Sequence, residues 1–149
     1  MKTKSVFSLS FVLFSIILFT SCSRGPSEND IKNVVMKELG SGILVLDMNI
    51  ENKGSSRTYN EDVKVFPVTV KLDYIQGGME YGYIPECPEA QCNKDFEYNV
   101  EKEFLIGKDQ WEAWKVYDLR DISGGQTQTF WRPTSKSMQE FYKDRVKLK

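Results

Sequence analysis

The sequence predicts an α+β domain: a curved antiparallel sheet of about four strands wrapping one N-terminal helix, with a second helix at the C-terminus. Three observations predict it. Apolar residues first recur at the helical interval, at Ile31, Val34, Val35 and Leu39. After Gly42 the interval drops to two and stays there through several long segments, which polar or glycine-containing stretches separate. A lone amphipathic helix must also bury its stripe, and one apolar sheet face is the partner on offer.

Taken in order, Ser27 offers a side-chain oxygen to open the first helix, and Asp30 stands where a capping box places its acid. Gly40 supplies the stop. Leu44, Leu46, Met48 and Ile50 then share one face of a strand, with Asp47, Asn49 and Glu51 on the other. "NKGSSRTYNED" reads as a polar loop. The next strand, from Val63, changes phase at Phe66-Pro67, and because proline cannot donate to a ladder, a bulge or an edge position is expected there. Residues 76–95, "QGGMEYGYIPECPEAQCNKD", form a long loop, a length usually tied to function or mobility. From Phe96 to Ile106 apolar residues alternate with Glu97, Asn99, Glu101 and Glu103. "GKDQ" turns the chain and "WEAWKVYDL" returns it, with one of Trp111 and Trp114 inside and the other near a rim, since their odd spacing forbids a shared strand face. "SGGQTQTFWRP" reads as a loop or a short last strand. Pro133, with Thr134 or Ser135 as cap, opens the final helix, which carries Met138, Phe141 and Leu148. Lys143, Arg145, Lys147 and Lys149 crowd its end, where they suit the helix dipole and water or, alternatively, anionic lipid.

Upstream of this domain the chain begins Met-Lys-Thr-Lys and continues in an apolar run from Val6 to Phe19, broken only by serines. A secretory signal needs about 7–15 apolar residues and a membrane-spanning helix about 20, so the run reads as a signal. Phe19-Thr20-Ser21-Cys22 resembles the lipobox of bacterial lipoproteins, with Phe19 where leucine is usual. The resemblance implies that residues 1–21 are removed and that Cys22 becomes an N-terminus carrying lipid chains, palmitate among them. Ordinary cleavage at Ser21-Cys22-Ser23, which would discard the cysteine, is the competing reading. The expected organisation is signal peptide 1–21, tether 22–26 and a single domain 27–149. The expected location is outside the cytoplasm, lipid-anchored to a bacterial membrane, the outer membrane or cell surface before the inner one.

Without residues 1–21 the chain carries 18 basic and 21 acidic side chains. Nucleic-acid binders show a basic stripe, and none is present. Cys87 and Cys92 remain, with four residues between them. An exported chain keeps disulfides, and that spacing lets two Cα atoms approach to about 5.5–6 Å, so a structural disulfide is expected over free thiols or metal and redox chemistry. The sequence holds no histidine, which excludes a Ser-His-Asp triad and any His-ligated metal. "SGGQT" lacks the spacing and the lysine of a phosphate-binding loop. No cofactor is expected.

The segment "EKEFLIGKDQWEAWKVYDL" is similar to the closing hairpin of NTF2-like and cystatin-like domains. With one helix before the sheet, the cystatin-like arrangement fits better. On NTF2-like folds a lone acid can serve as a base, which marks Asp73 and Asp118 for inspection, but the expectation is a non-enzymatic protein. Its partner surface is expected on the 76–95 loop, at Tyr81, Tyr83 and Ile84, because tyrosine is enriched where proteins meet and a disulfide would preorganise the loop. The alternative is an envelope-complex subunit or small-ligand carrier that uses the concave sheet face, beside Val70, Leu72 and Trp114. Exposed Tyr81 and Tyr83 would favour the first reading. Tyrosines folded over that face would favour the second.

Overall fold

The first helix, α1, spans Glu28–Leu39 and opens as its sequence predicts. Ser27 Oγ accepts the Asp30 N–H at 3.2 Å while Asp30 Oδ2 accepts the Ser27 N–H at 2.9 Å, closing the capping box. The Ser27 side-chain hydrogen bond holds the Asp30 carboxyl below its ordinary range. Ile31, Val34 and Val35 are buried, and burying such side chains is worth about 1.5–3 kcal/mol each. Gly40 ends the helix at φ 81°, a conformation that costs glycine nothing. These elements belong to a computed structural model that describes residues 24–60, 62–87 and 89–148. The expected signal, the lipobox-like segment and Cys22 lie outside the described residues.

The strands are β1 (Ile43–Lys53), β2 (Arg57–Asn60), β3 (Val63–Gln76), β4 (Glu80–Tyr81), β5 (Cys92–Lys108) and β6 (Trp114–Pro133), paired antiparallel throughout. The long strands follow chain order, β1-β3-β5-β6. Short β2 continues the β1 side of β3, and β4 continues the β3 side of β5, so the sheet is four strands wide. Among the described residues the protein is thus an antiparallel sheet with two α-helices.

Pairing between β3 and β5 is unbroken from Val65↔Gly107 to Gln76↔Phe96. Every irregularity falls on the outer strands. Leu46 and Glu51 in β1 and Tyr59 in β2 have no partner on β3, and Tyr117, Ile122 and Thr127 in β6 have none on β5. Each is an extra residue that bends its strand and raises its twist. The bulge at Leu46 also corrects the expected β1 face. Val45 and Met48 face α1, with Ile43 and Ile50 partly buried beside them, while Leu44 and Leu46 turn to the opposite side.

No bulge accompanies Phe66-Pro67. Val68, Val70, Leu72 and Tyr74 join the cluster under α1, whereas Val65 lies on the other face beside Tyr117. The sequence phase changes because β3 is apolar on both sides, not because the ladder slips. Pro67 instead occupies the gap on the outer edge of β3 between its pairing with β2, which ends at Val65, and with β1, which ends at Val68. There its missing N–H leaves no ladder bond unmade.

Two apolar clusters result. Beneath α1 lie Val45 and Met48 of β1, the even-numbered residues of β3, and Val100, Phe104 and Ile106 of β5. α1 approaches both outer strands, β1 and β6. On the opposite face Leu46, Ile75 and Tyr142 pack with Leu44, Phe130 and Met138. The final helix is shorter and later than expected. Pro133 stays in β6, paired with Cys92, and Ser137 caps the four-residue α2, Met138–Phe141, followed by a 3-10 turn at Lys143–Arg145. Tyr142 rather than Phe141 is the buried aromatic. The tail then runs along β1, where the Lys147 N–H donates to the Leu46 carbonyl at 2.7 Å.

Candidate functional sites at the two ends of the sheet

Strand direction puts the start of α1, the end of β5 and the start of β6 at one end of the sheet. The loop from Gly77 to Gln91, the start of β5 and α2 lie at the other. β5 alone runs 17 residues between them, about 55 Å of extended chain.

At the loop end the expected long loop is partly strand. Glu80 and Tyr81 pair with Asn93 and Cys92, and β5 begins at Cys92 rather than Phe96. Cys87 and Cys92 are joined in a disulfide with a Cα–Cα distance of 6.5 Å, and both are buried. The Cys87 N–H donates to the Ile84 carbonyl at 3.0 Å, so the bridge and one turn together fix the segment that carries the tyrosines. Tyr83 is 77% exposed and Tyr81 38%, and Tyr81 stands edge-on to Trp131 at 5.4 Å. Ile84 is half-buried. Met79, at 73% exposed, extends the same surface. Sequence reading missed Met79 and Trp131, because a methionine among glycines and a tryptophan in a polar last strand carry no periodic signal.

Beneath this surface lies a buried ionic lock that sequence reading also missed. Asp95 is fully buried and Arg132 nearly so. Arg132 Nε donates to Asp95 Oδ2 at 2.6 Å and Nη2 to Oδ1 at 3.2 Å, while the Tyr142 hydroxyl donates to Oδ2 at 2.9 Å. The Gly78 N–H reaches Oδ1 at 3.4 Å, and Arg132 Nη1 donates to the Lys136 carbonyl. Burial, reinforced by the neighbouring Asp95, pushes the Tyr142 hydroxyl well above the usual tyrosine range. One carboxylate therefore ties β5, β6, the residue that follows α2 and the root of the loop together.

The other end is more open. A cleft of about 860 Å³ lies among residues 24–25, expected to belong to the tether, the β2–β3 turn and the β5–β6 turn, with Arg24, Asp62, Lys64, Phe66, Lys108 and Trp114 in its walls. Phe66 meets Trp114 edge-on at 6.1 Å, Lys108 Nζ lies 5.4 Å from the Trp114 ring, and Lys115 Nζ lies 4.6 Å from the Tyr117 ring. Trp114 is half-buried, while Trp111 is 79% exposed and lies in the turn before β6, so neither is fully inside and strand spacing does not govern the pair.

The remaining candidates are dispersed. Asp118 is exposed on β6, its carboxylate accepting the Leu119 N–H at 2.9 Å. Asp73 is half-buried, pairs across β1 with Asp47 and accepts a hydrogen bond from the Asn99 side chain. Val70 and Leu72 are fully buried in the cluster under α1, and Tyr81 and Tyr83 do not cover them. Of the C-terminal cations, Arg145 turns inward, bonding Glu97 at 2.5 Å and lying 4.9 Å from the Phe130 ring. Among the described residues no group of three His, Cys, Asp or Glu side chains is placed to hold a metal ion, and no helix is long and apolar enough to cross a membrane. Comparison with known proteins returns no matching family model, no matching curated protein and no matching solved structure.

Proposed function

We propose that the protein is an exported bacterial lipoprotein, held to a membrane through Cys22, that displays its disulfide-braced loop as a binding or adhesion surface and has no enzymatic activity. The observation that carries this reading is the exposure of Tyr81 and Tyr83 at the end of the sheet opposite the tether. A chain held at residue 22 presents that end farthest from its attachment. Tyrosines fixed on a cross-linked turn lose little freedom on binding, so more of their contact energy survives as affinity. The concave-face alternative has less support, because α1 fills the face on which a carrier would hold its ligand. A cystatin-like arrangement, with the sheet curving around α1, is supported by the closeness of α1 to both outer strands and by the bulges confined to those strands.

Two experiments test the reading. The intact mass of protein extracted in detergent from its host should match Cys22 to Lys149 plus lipid and gain two hydrogens on reduction. A lipid-free mass removes the anchor. A photo-crosslinking residue at Tyr83 should yield a discrete product in intact cells that disappears with Cys87→Ser/Cys92→Ser, while the same residue at Ser123 yields none. Equal products at both positions, or none at either, remove the loop surface.

A further inference from the structure

The tether end carries a second exposed aromatic whose presentation is fixed. Trp111 stands at the tip of the β5–β6 turn, 79% exposed. Asp109 Oδ1 accepts the Trp111 N–H at 2.8 Å and the Ala113 N–H at 3.1 Å, and the Asp109 N–H donates to the Ala113 carbonyl at 2.9 Å. Glu112 closes the turn at φ 62°, a left-handed conformation unusual outside glycine, and its carboxylate binds Lys108 at 2.7 Å. Leaving an indole in water forgoes several kcal/mol of burial. Here the turn holds it outward instead of letting it fold back onto the cleft.

Position supplies the partner. Arg24 and Gly25, two and three residues past Cys22, line the same cleft as Gln110 and Glu112, the neighbours of Trp111 in the turn. Pro26 is buried and Ser27 caps α1, so on the membrane-held reading only a few residues of slack separate the rigid domain from Cys22. Among the described residues Arg24, Lys64 and Lys115 make no ion pair, while Asp109 is committed to the turn amides and Glu112 to Lys108. An outward indole at the same end of the sheet as Arg24 and Lys64 of the cleft, with Asp62 the one described acid there not committed to a partner, and as Lys115 beside Tyr117, suits the headgroup layer of a bilayer, where tryptophan concentrates and lysine and arginine reach phosphates.

We infer that the β5–β6 turn is a membrane-seating element: Trp111 enters the headgroup layer of the bilayer beside the tether, with Arg24, Lys64 and Lys115 on lipid phosphates. This rests on the membrane-held reading above. It gives the domain two points of contact, the tether and the indole, and so a fixed tilt that directs the loop end away from the membrane. Two weak contacts on one rigid body act together through effective concentration.

The test uses the full mature chain, purified from its host in detergent and reconstituted into vesicles of phosphatidylethanolamine and phosphatidylglycerol. The lipids carry bromine near the top of their acyl chains, and tryptophan emission and vesicle flotation are read together. The expected result is a blue-shifted, quenched emission component that Trp111→Ala abolishes, whereas Trp131→Phe, at the far end, leaves it in place. Both variants should keep the wild-type melting temperature, which separates lost seating from lost folding. Protein that floats with the vesicles, yet whose Trp111 emission is neither shifted nor quenched, overturns the inference and keeps the anchor. Trp111-dependent quenching by a chain whose mass shows no lipid keeps the inference and removes the anchor. Neither flotation nor quenching overturns both.

Discussion

The two ends of the sheet each present an exposed aromatic on a fixed turn, Tyr83 at one and Trp111 at the other, and they fix it by different means. At the loop end the fixing is deep: a disulfide, a carboxylate buried with its arginine, and a tyrosine from the C-terminal segment. At the tether end it is shallow, since one exposed turn folds around the Asp109 carboxylate beside an open cleft. The difference is one of length. The loop between β3 and β5 has too few backbone pairings to define itself and needs covalent and ionic bracing, whereas a short hairpin turn is defined by its own strands. Perturbation should therefore spread from the loop end into the fold and stay local at the tether end.

The largest effect is expected at Arg132. Arg132→Ala strands Asp95 as an unpaired buried charge and should cost about 3–5 kcal/mol in urea unfolding, while replacing both partners with apolar residues should cost much less. A loss below about 1 kcal/mol for the single variant would mean that the loop end is no more braced than the tether end. Next come two glycines of the loop. A methyl group on Gly78 would lie 1.6 Å from the Lys94 carbonyl oxygen, whereas Gly82 faces open space. Gly78→Ala should cost about 2–3 kcal/mol and Gly82→Ala almost nothing in the same assay, sharpening where the loop is pinned.

A smaller effect follows from Tyr142. Its folded-state hydroxyl titrates above the unfolded value, so its stabilisation is complete below about pH 10 and is lost as pH rises beyond that point, where the unfolded chain gives up the proton first. Tyr142→Phe should lower stability near neutral pH by about 1.5 kcal/mol, through the lost hydrogen bond to Asp95, and flatten the alkaline decline. Some slope should remain, since burial raises Tyr74 in the same direction. Melting curves from pH 7 to 11 would resolve this. The smallest effects belong to the two displayed aromatics. Tyr83→Ala and Trp111→Ala should each change stability by less than about 0.5 kcal/mol, and a larger loss from either would show that its ring packs in solution.

Much of the fold was legible because local rules and tertiary demands agreed. Ser27 and Asp30 with the stripe at Ile31, Val34 and Val35 gave α1, and alternation gave β3 and β5, whose mutual register is unbroken. The outer strands were harder. A bulge such as Leu46 moves a side chain to the other face without changing the composition of the strand, and β6 is exposed along most of its 20 residues, so "SGGQTQT" shows no alternation to read. Of the candidate site, Cys87, Cys92, Tyr81 and Tyr83 were visible from spacing and from the glycines around them. The Asp95–Arg132 pair was not, because charged residues 37 positions apart advertise burial only once β5 and β6 are aligned. The cleft was invisible for the same reason, its walls coming from two turns and the segment before α1.

The bulges of β6 bear on how copies of the protein meet one another. Molecules confined to a plane collide far more often than the same number free in solution, and a 20-residue outer strand would ordinarily invite sideways zippering. Here the ladder on β5 is thrown out of step at Tyr117, at Ile122 and at Thr127, once every five residues. An approaching neighbour can match its own hydrogen bonds to only a few residues before the phase is lost. Were the protein held at a membrane as proposed, lateral crowding would then yield brief encounters instead of fibres.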